Sequence, residues 1–158
     1  MTHGAGLDEA ARRARLADRP DIERLIALAQ AALVGQRGAD QWLATAAPSV
    51  PSPADLAEAG WYVGTLDDVV VGAQLVAPRR WPDGRLVLEI GFLYVEPEAR
   101  ELGVGEALVD AVLAEARSAG AFAVESTALP GDRELKNLFE RFGLVARAIT
   151  VHKAIEPG

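Results

Sequence analysis

The sequence has no cysteine and only two histidines among its 158 residues. Without cysteine, the chain has no disulfide framework, no thiolate nucleophile and no thiolate metal site. Two histidines give little basis for a catalytic metal centre, so we expect none. No apolar run approaches the roughly 18 residues of a membrane-spanning helix, and the first residues lack the apolar core of a signal peptide. We therefore expect a cytoplasmic protein without metal that does not enter a membrane.

Basic residues are also in deficit, since 16 lysines and arginines face 23 aspartates and glutamates, for a net charge of −7. A nucleic-acid partner requires a basic face that neutralises phosphates, so this balance argues against one. An acidic surface instead favours a cationic substrate, such as an amine, through electrostatic steering. With 50% hydrophobic and 25% charged residues, the composition is that of a globular protein. We expect a flexible leader over residues 1–10 and one domain over residues 11–158.

Hydrophobic periodicity and helix caps divide the chain into strands and helices. Asp18 and Pro20 are typical of a helix start, and an apolar stripe then continues to Leu33. The nearly continuous apolar run 86–95 predicts a strand buried on both faces. Further strands are predicted at 11–17, 61–65, 69–77, 122–126 and within 144–155, further helices at 39–45, 106–119 and 132–142, and a loop at 47–53. This order predicts a mixed α/β fold, antiparallel in its first half and with a βαβ unit later.

A glycine-containing loop joins the predicted strand 86–95 to the predicted helix 106–119. It reads Arg100-Glu101-Leu102-Gly103-Val104-Gly105. Glycines at a helix N-terminus let the backbone approach a ligand, and the free N–H groups there favour an anion. Arg100 adds a fixed positive charge for phosphate oxygens. The loop is therefore a candidate site for a pyrophosphate.

Three other interpretations of the loop differ in the residues that they require. A dinucleotide site needs a third glycine where Leu108 stands, although Glu125 lies about 20 residues further on, as that motif asks. A P-loop needs a lysine directly after its last glycine, and the sequence has no such pair. The two glycines could also merely shape a turn, since glycine pairs are common.

The residues around the loop resemble the GNAT N-acetyltransferase superfamily. Arg100-x-x-Gly103-x-Gly105 is similar to that family's Q/R-x-x-G-x-G/A loop, and residues 93–97 are similar to the strand end and proline before it. Residues 138–144 resemble the family's Y-E-x-x-G-F helix ending. The resemblance extends from about residue 15 to residue 155. It implies a GNAT-like fold whose central βαβ unit binds acetyl-CoA.

The resemblance also implies which residues contact the cofactor. The pantetheine arm and the acetyl group would pair with backbone at the end of strand 86–95, and the pyrophosphate would lie over the loop. Asp132 stands where the family often has a cofactor-contacting asparagine. The implied cofactor-binding residues are Leu93, Tyr94, Val95, Arg100, Glu101, Leu102, Gly103, Val104, Gly105 and Asp132. Residues 36–59 would shape the acceptor pocket, and family members often pair through their C-terminal strands, which allows a homodimer.

The implied reaction is direct attack of a substrate amine on the acetyl group, which requires a base and a proton donor for the leaving thiolate. Glu89 is the first candidate for the base, because it interrupts the buried strand and its spacing from Arg100 resembles that in histone-acetylating members. Glu125 is the second candidate, at a position where some members that acetylate amino groups have their base. The family's usual tyrosine donor falls on Phe139, which has no hydroxyl.

The sequence leaves two functions open. The first is an N-acetyltransferase acting on a primary amine of a small molecule or a protein, favoured by the intact loop and the two glutamates. The second is a non-catalytic acyl-CoA-binding regulatory module, favoured by Phe139 and Asp132. The three tryptophans, Trp42, Trp61 and Trp81, are candidates for the acceptor pocket, although such residues more often pack in a core.

Overall fold

The computed structural model of the chain describes residues 6–156, which form a five-stranded sheet with helices on both faces. The strands are β1 (Glu9–Arg13), β2 (Gly60–Leu66), β3 (Val69–Arg80), β4 (Leu86–Val95) and β5 (Ala123–Ser126). The helices are α1 (Arg19–Leu33), α2 (Ala39–Thr45), α3 (Pro53–Glu58), α4 (Val104–Ala119) and α5 (Arg133–Arg141). The strands are ordered β1-β2-β3-β4-β5 and antiparallel except for the parallel pair β4–β5. The predicted mixed α/β fold is confirmed.

At Gly91 the side chains of β4 exchange the two faces of the sheet. Val76 of β3 pairs with Ile90 and the adjacent Leu75 pairs with Phe92, so Gly91 is an extra residue in the ladder. Such a bulge reverses the alternation of side chains along a strand. Ile90 accordingly packs in the apolar cluster under α4, whereas Phe92 packs in the cluster under α1.

The strands β4 and β5 form a fork. They pair at four positions, from Val87 with Ala123 to Ile90 with Ser126. At the last position the Ser126 hydroxyl donates a 2.7 Å hydrogen bond to the carbonyl of Ile90. Beyond it β5 ends, while β4 continues to Val95. The edge of β4 over residues 91–95 therefore faces an opening instead of a neighbouring strand.

One strand and one helix in the first part of the chain differ from the predictions. The strand β1 spans Glu9–Arg13 instead of 11–17, because its register on β2 ends at Arg13 and the turn that leads into α1 follows. The predicted leader thus loses Glu9 and Ala10 to β1, and residues 1–5 lie outside the described part of the chain. The prediction also missed α3, whose start is fixed by a capping box of Ser52 and Asp55.

The closing strands predicted over 144–155 are wrong, because no strand is assigned to residues 144–156. Residues 145–156 are exposed, and the exposed fractions of Ile149 and Val151 reach 88% and 90%. Alternation of apolar residues indicates which side of a strand could be buried. A strand also needs a partner for its backbone groups, which the alternation does not specify.

The helices α4 and α5 approach each other at Gly105. A Cβ atom at this position would lie 3.0 Å from Cδ2 of Leu138, and both residues are buried. The contact is flanked by an ion pair of 2.6 Å between Glu106 and Arg141. The small size of Gly105 therefore sets the spacing of the two helices.

A buried carboxylate, Asp18, ties β1 to the start of α1. It accepts two hydrogen bonds of 2.7 and 2.9 Å from the Arg12 guanidinium and one of 2.7 Å from the backbone N–H of Arg15. Although Asp18 is only 5% exposed, the bond from Arg12 lowers its pKa below the ordinary value of 3.8. The charged form of Asp18 is thus the form that the fold stabilises.

We expect Asp18→Asn to lower the free energy of unfolding at pH 7 by about 2 kcal/mol, the typical contribution of hydrogen bonds to a charged group. Because the pKa of Asp18 is lowered by folding, its contribution is complete above the unfolded-state value and is lost as the pH falls through the folded-state value. Urea unfolding of both proteins from pH 7 to pH 3 should therefore show a difference that shrinks below about pH 4.

The control is Asp21→Asn in the first turn of α1, since the Asp21 side chain is 43% exposed and pairs with Arg24 at 3.2 Å. This exposed pair should contribute less than about 0.5 kcal/mol. Equal losses for the two variants would show that Asp18 has no special role.

We expect Gly105→Val to lower the free energy of unfolding by about 1–3 kcal/mol through overpacking against Leu138. Leu138→Ala alone should also be destabilising, because it leaves a cavity. In the double variant the valine occupies the space of the leucine, so the combined loss should be smaller than the sum of the two by about 1 kcal/mol. Urea unfolding of the four proteins measures this coupling, and strictly additive losses would contradict the packing role of Gly105.

Candidate active site

A cleft of about 440 Å³ opens where β4 and β5 diverge. Small-molecule sites typically have volumes of roughly 300–1,000 Å³. Besides the fork itself, the turn after β4, the start of α5, the last turns of α1 and α2 contribute to its lining. The main lining residues are Ala29, Ala32, Leu33, Gln36, Trp42, Ile90, Gly91, Phe92, Leu93, Tyr94, Pro97, Arg100, Ser126, Thr127, Leu129, Gly131, Asp132, Arg133, Glu134 and Leu135.

Arg100 is held firmly at the mouth of this cleft. Its Nε donates to the carbonyl of Val95 at 2.9 Å, and its Nη1 pairs with Glu134 at 2.6 Å. The guanidinium also lies over the ring of Tyr94, 5.4 Å from its centroid. The charge predicted for phosphate oxygens is thus present in the cleft, but it is shared with a carboxylate of α5.

Leu93, Tyr94 and Asp132, also predicted to bind the cofactor, line the cleft as well. Asp132 caps α5, because its carboxylate accepts a hydrogen bond of 3.2 Å from the N–H of Leu135. This capping bond by itself explains why an aspartate stands at the start of the helix, whether or not it contacts a ligand.

Six predicted cofactor-binding residues are not among the lining residues: Val95, Glu101, Leu102, Gly103, Val104 and Gly105. Val95 is buried and positions Arg100 through its carbonyl. Val104 is fully buried, and Gly105 packs against Leu138. What this loop can offer a ligand is therefore mainly backbone.

Gly103 forms the turn between the 3₁₀ segment Pro97–Leu102 and α4. Its φ of +86° is in the left-handed region, and it is the N-cap of α4. The first N–H groups of a helix have no partner within the helix, and they favour an anion. The turn thus has the geometry for which the sequence motif was singled out.

Glu89 and Glu125, the two candidates for the base, lie side by side as paired residues of β4 and β5. Arg79 bridges them, with its Nε 3.4 Å from Glu89 and its Nη2 2.5 Å from Glu125. The side chains are 45% and 37% exposed, so the expectation that Glu89 is buried is wrong. Glu89 precedes the Gly91 bulge on β4. Neither glutamate lines the cleft, but each adjoins a residue at the fork that does.

Phe139, at the position of the family's usual tyrosine, is 5% exposed and packs in the core between α4, α5 and the sheet. Of the two tyrosines, Tyr62 is buried in β2 and Tyr94 lines the cleft. The hydroxyl residues Ser126 and Thr127 also line it. Sequence reasoning missed these two, because only the pairing of β5 with β4 brings them to the fork.

The three tryptophans have different environments. Trp42 lines the cleft, whereas Trp61 is buried with its ring 5.9 Å from that of Phe92. Trp81 lies in the turn after β3, with its ring 5.4 Å from that of Phe122. Of the three, Trp42 is therefore the one that lines the cleft.

Residues 6–156 contain no group of three or more histidine, aspartate or glutamate side chains arranged to hold a metal ion. In the same stretch, no helix combines the length and the apolar character that crossing a membrane would require.

Several solved structures share this fold at low sequence identity. A tetramutant of the BH1408 protein from Bacillus halodurans is 16% identical with a TM-score of 0.74, over 92% of this chain and 99% of that one. An aminoglycoside acetyltransferase from an uncultured soil metagenomic sample is 17% identical with a TM-score of 0.66, over 99% and 100%. A ribosomal-protein-alanine N-acetyltransferase from Brucella melitensis is 20% identical with a TM-score of 0.64, over 96% and 99%.

No curated protein matches the chain in sequence. The model of the acetyltransferase (GNAT) family matches residues 21–144. That stretch begins in the first turn of α1, ends after α5, and includes the fork, the cleft and the turn at Gly103. The chain therefore belongs to the GNAT acetyltransferase family.

Proposed function

We propose that the protein is an N-acetyltransferase that moves an acetyl group from acetyl-CoA to a primary amine in a ternary complex. The family implies acyltransferase activity. The observation that carries the finer proposal is the cleft at the β4–β5 fork, next to the glycine turn that begins α4. Acetyl-CoA supplies an activated thioester, whose carbon–sulfur bond breaks as the amine nitrogen bonds to the acetyl carbon.

The open edge of β4 suits an amide-containing arm such as pantetheine. Backbone N–H and C=O groups over residues 91–95 have no β5 partner, and paired backbone groups are the rule in proteins. Leu93 and Tyr94 would make these contacts, while the carbonyl of Val95 is already used by Arg100. The amides of residues 101–105 and the charge of Arg100 would hold the pyrophosphate. Asp132 would serve this site by fixing the start of α5.

The base would be Glu89 or Glu125, acting through water on the protonated amine. Both carboxylates stand at the rim of the fork, where a cationic acceptor favoured by the net charge of −7 would arrive. Phe139 cannot protonate the leaving thiolate, so that proton would come from a hydroxyl of the cleft, on Tyr94, Ser126 or Thr127, or from water.

Binding of acetyl-CoA can be tested by calorimetry on the native chain and on Leu102→Glu. The native chain should bind with micromolar affinity. Leu102 is exposed on the turn, so a carboxylate there should keep the fold but repel the pyrophosphate. We expect roughly tenfold weaker binding at low ionic strength and a smaller difference at 1 M salt.

The control is Leu16→Glu, which adds the same charge at a more exposed leucine outside the predicted cofactor site. Its affinity should stay within about twofold of the native value, as expected for a distant screened charge. No binding by the native chain would remove the central claim of the proposal.

The base can be identified with Glu89→Gln and Glu125→Gln in an assay of thiol release. Removal of a general base should lower kcat by about 10²–10⁴-fold and flatten the pH profile on its acidic side, with acetyl-CoA affinity unchanged. The control is Glu115→Gln on α4, because Glu115 is 37% exposed and also pairs with an arginine. Unchanged kcat in both test variants would exclude these two glutamates.

The same assay separates the proposal from the alternative of a non-catalytic acyl-CoA-binding module. Phe139 favours that alternative, since a phenylalanine leaves no tyrosine hydroxyl at the family's usual position. Acetyl-CoA binding without acetyl transfer to any amine would support it.

A further inference from the structure

One part of the cleft lining is apolar and aromatic. It consists of residues from the last turns of α1, from α2 and from the part of β4 beyond the bulge. The residues concerned are Ala29, Ala32, Leu33, Trp42, Phe92 and Tyr94. Trp42 and Tyr94 are partly buried and pack on the same apolar cluster as Phe92. This part of the lining therefore favours a ligand with apolar surface.

The charged side chains that line the cleft belong to other elements. Arg100, Asp132, Arg133 and Glu134 belong to the turn after β4 and to the start of α5. Two of them are already engaged, because Glu134 pairs with Arg100 and Asp132 caps α5. Among the lining residues that the structure describes, those from α1 and α2 carry no charge. A second cationic group of an acceptor, placed against α1 and α2, would thus meet no carboxylate there. Its desolvation would then cost free energy without compensation.

Two loops that contribute to the cleft lining also contact each other. A Cβ atom on Gly38 would lie 3.4 Å from Leu129, and one on Gly131 would lie 3.3 Å from the amide oxygen of Gln36. The segment between α1 and α2 therefore touches the segment between β5 and α5. Because Gln36, Leu129 and Gly131 line the cleft, this contact bounds it on that side, which suits a small molecule better than an extended peptide.

We infer that the acceptor is a small primary amine with one positive charge and an aromatic or apolar body that packs against Trp42. This inference rests on the proposed function and adds the substrate class to it. The amine end would lie towards the fork, near Glu89 and Glu125, and the body would lie between α1, α2 and Phe92. The glutamates at the rim then receive the single cationic group, while the uncharged wall rejects acceptors with several charges.

The test compares three acceptors in the thiol-release assay: 2-phenylethylamine, 1,4-diaminobutane and a short peptide with a free N-terminus. We expect kcat/KM to be at least about tenfold higher for 2-phenylethylamine, the discrimination that a methylene or two gives in an apolar pocket. Trp42→Ala should raise the KM for 2-phenylethylamine by about tenfold, with unchanged affinity for acetyl-CoA. The matched control is Trp81→Ala, at a tryptophan outside the cleft, and should leave this KM within about twofold.

A second variant tests the same inference in case Trp42→Ala does not fold. Ala32 is exposed on the last turns of α1 and lines the cleft, so Ala32→Glu keeps a helix-forming residue while adding a carboxylate to the wall. It should lower kcat/KM for 2-phenylethylamine and raise it for 1,4-diaminobutane. Calorimetric titration of 2-phenylethylamine into the protein with bound CoA gives a binding readout that does not depend on turnover.

The outcomes separate this inference from the function on which it rests. Equal or higher kcat/KM for the diamine or the peptide, or equal effects of Trp42→Ala and Trp81→Ala, would overturn the acceptor class and leave the N-acetyltransferase intact. Acetyl-CoA binding with neither reaction nor binding of 2-phenylethylamine would also overturn it. If acetyl-CoA does not bind, both proposals fail together.

Discussion

The separation of β4 from β5 is the constraint on which the rest of the site depends. Pairing holds the two strands together only as far as Ile90 and Ser126, where the hydroxyl of Ser126 donates a hydrogen bond to the carbonyl of Ile90. Beyond that point the backbone of β4 has an open edge, and the cleft lies along it. A strand edge inside a protein needs hydrogen-bonding partners, so this one is a natural binding surface for a ligand that carries amides.

The bulge at Gly91 adds the second constraint, because it decides which side chains face which helix. Ile90 and Phe92 would point to the same side of a regular strand, but the extra residue sends them to opposite clusters. Phe92 and Tyr94 thereby reach the side on which α1 and Trp42 complete the cleft. Glu89, before the bulge, stays at the rim beside Glu125. Glu89 thus precedes the bulge and the apolar residues Phe92 and Tyr94 follow it, so the carboxylate and the apolar wall occupy successive parts of β4.

The loop before α4 shows how a motif can serve two purposes. Gly103 is needed for its positive φ, which turns the chain into the helix. Gly105 is needed for its size, because α5 places Leu138 against it. Both glycines were singled out in the sequence as positions that let backbone approach a ligand. Only one of them has a conformation that demands glycine, and the other is a packing position of the fold.

The sequence predicted much of the local structure, because caps, turns and apolar periodicity act over a few residues. The strand 86–95 has the bounds of β4, and the helices near 39–45 and 132–142 lie within one residue of α2 and α5. The strands predicted over 144–155 failed for a different reason, since a strand forms only where a neighbouring edge accepts it. The same limit explains why Ser126 and Thr127 could not be assigned to the cleft from the sequence.

By itself, the sequence determined the fold class, the βαβ unit and the glycine turn, because each follows from contacts close along the chain. The tertiary structure alone decided that Glu89 is partly exposed beside Arg79 and that Phe139 is buried in the core. It also decided that Trp42, and neither Trp61 nor Trp81, lines the cleft. These properties depend on which distant elements cover a residue, and burial and pairing are set by neighbours that no local pattern specifies.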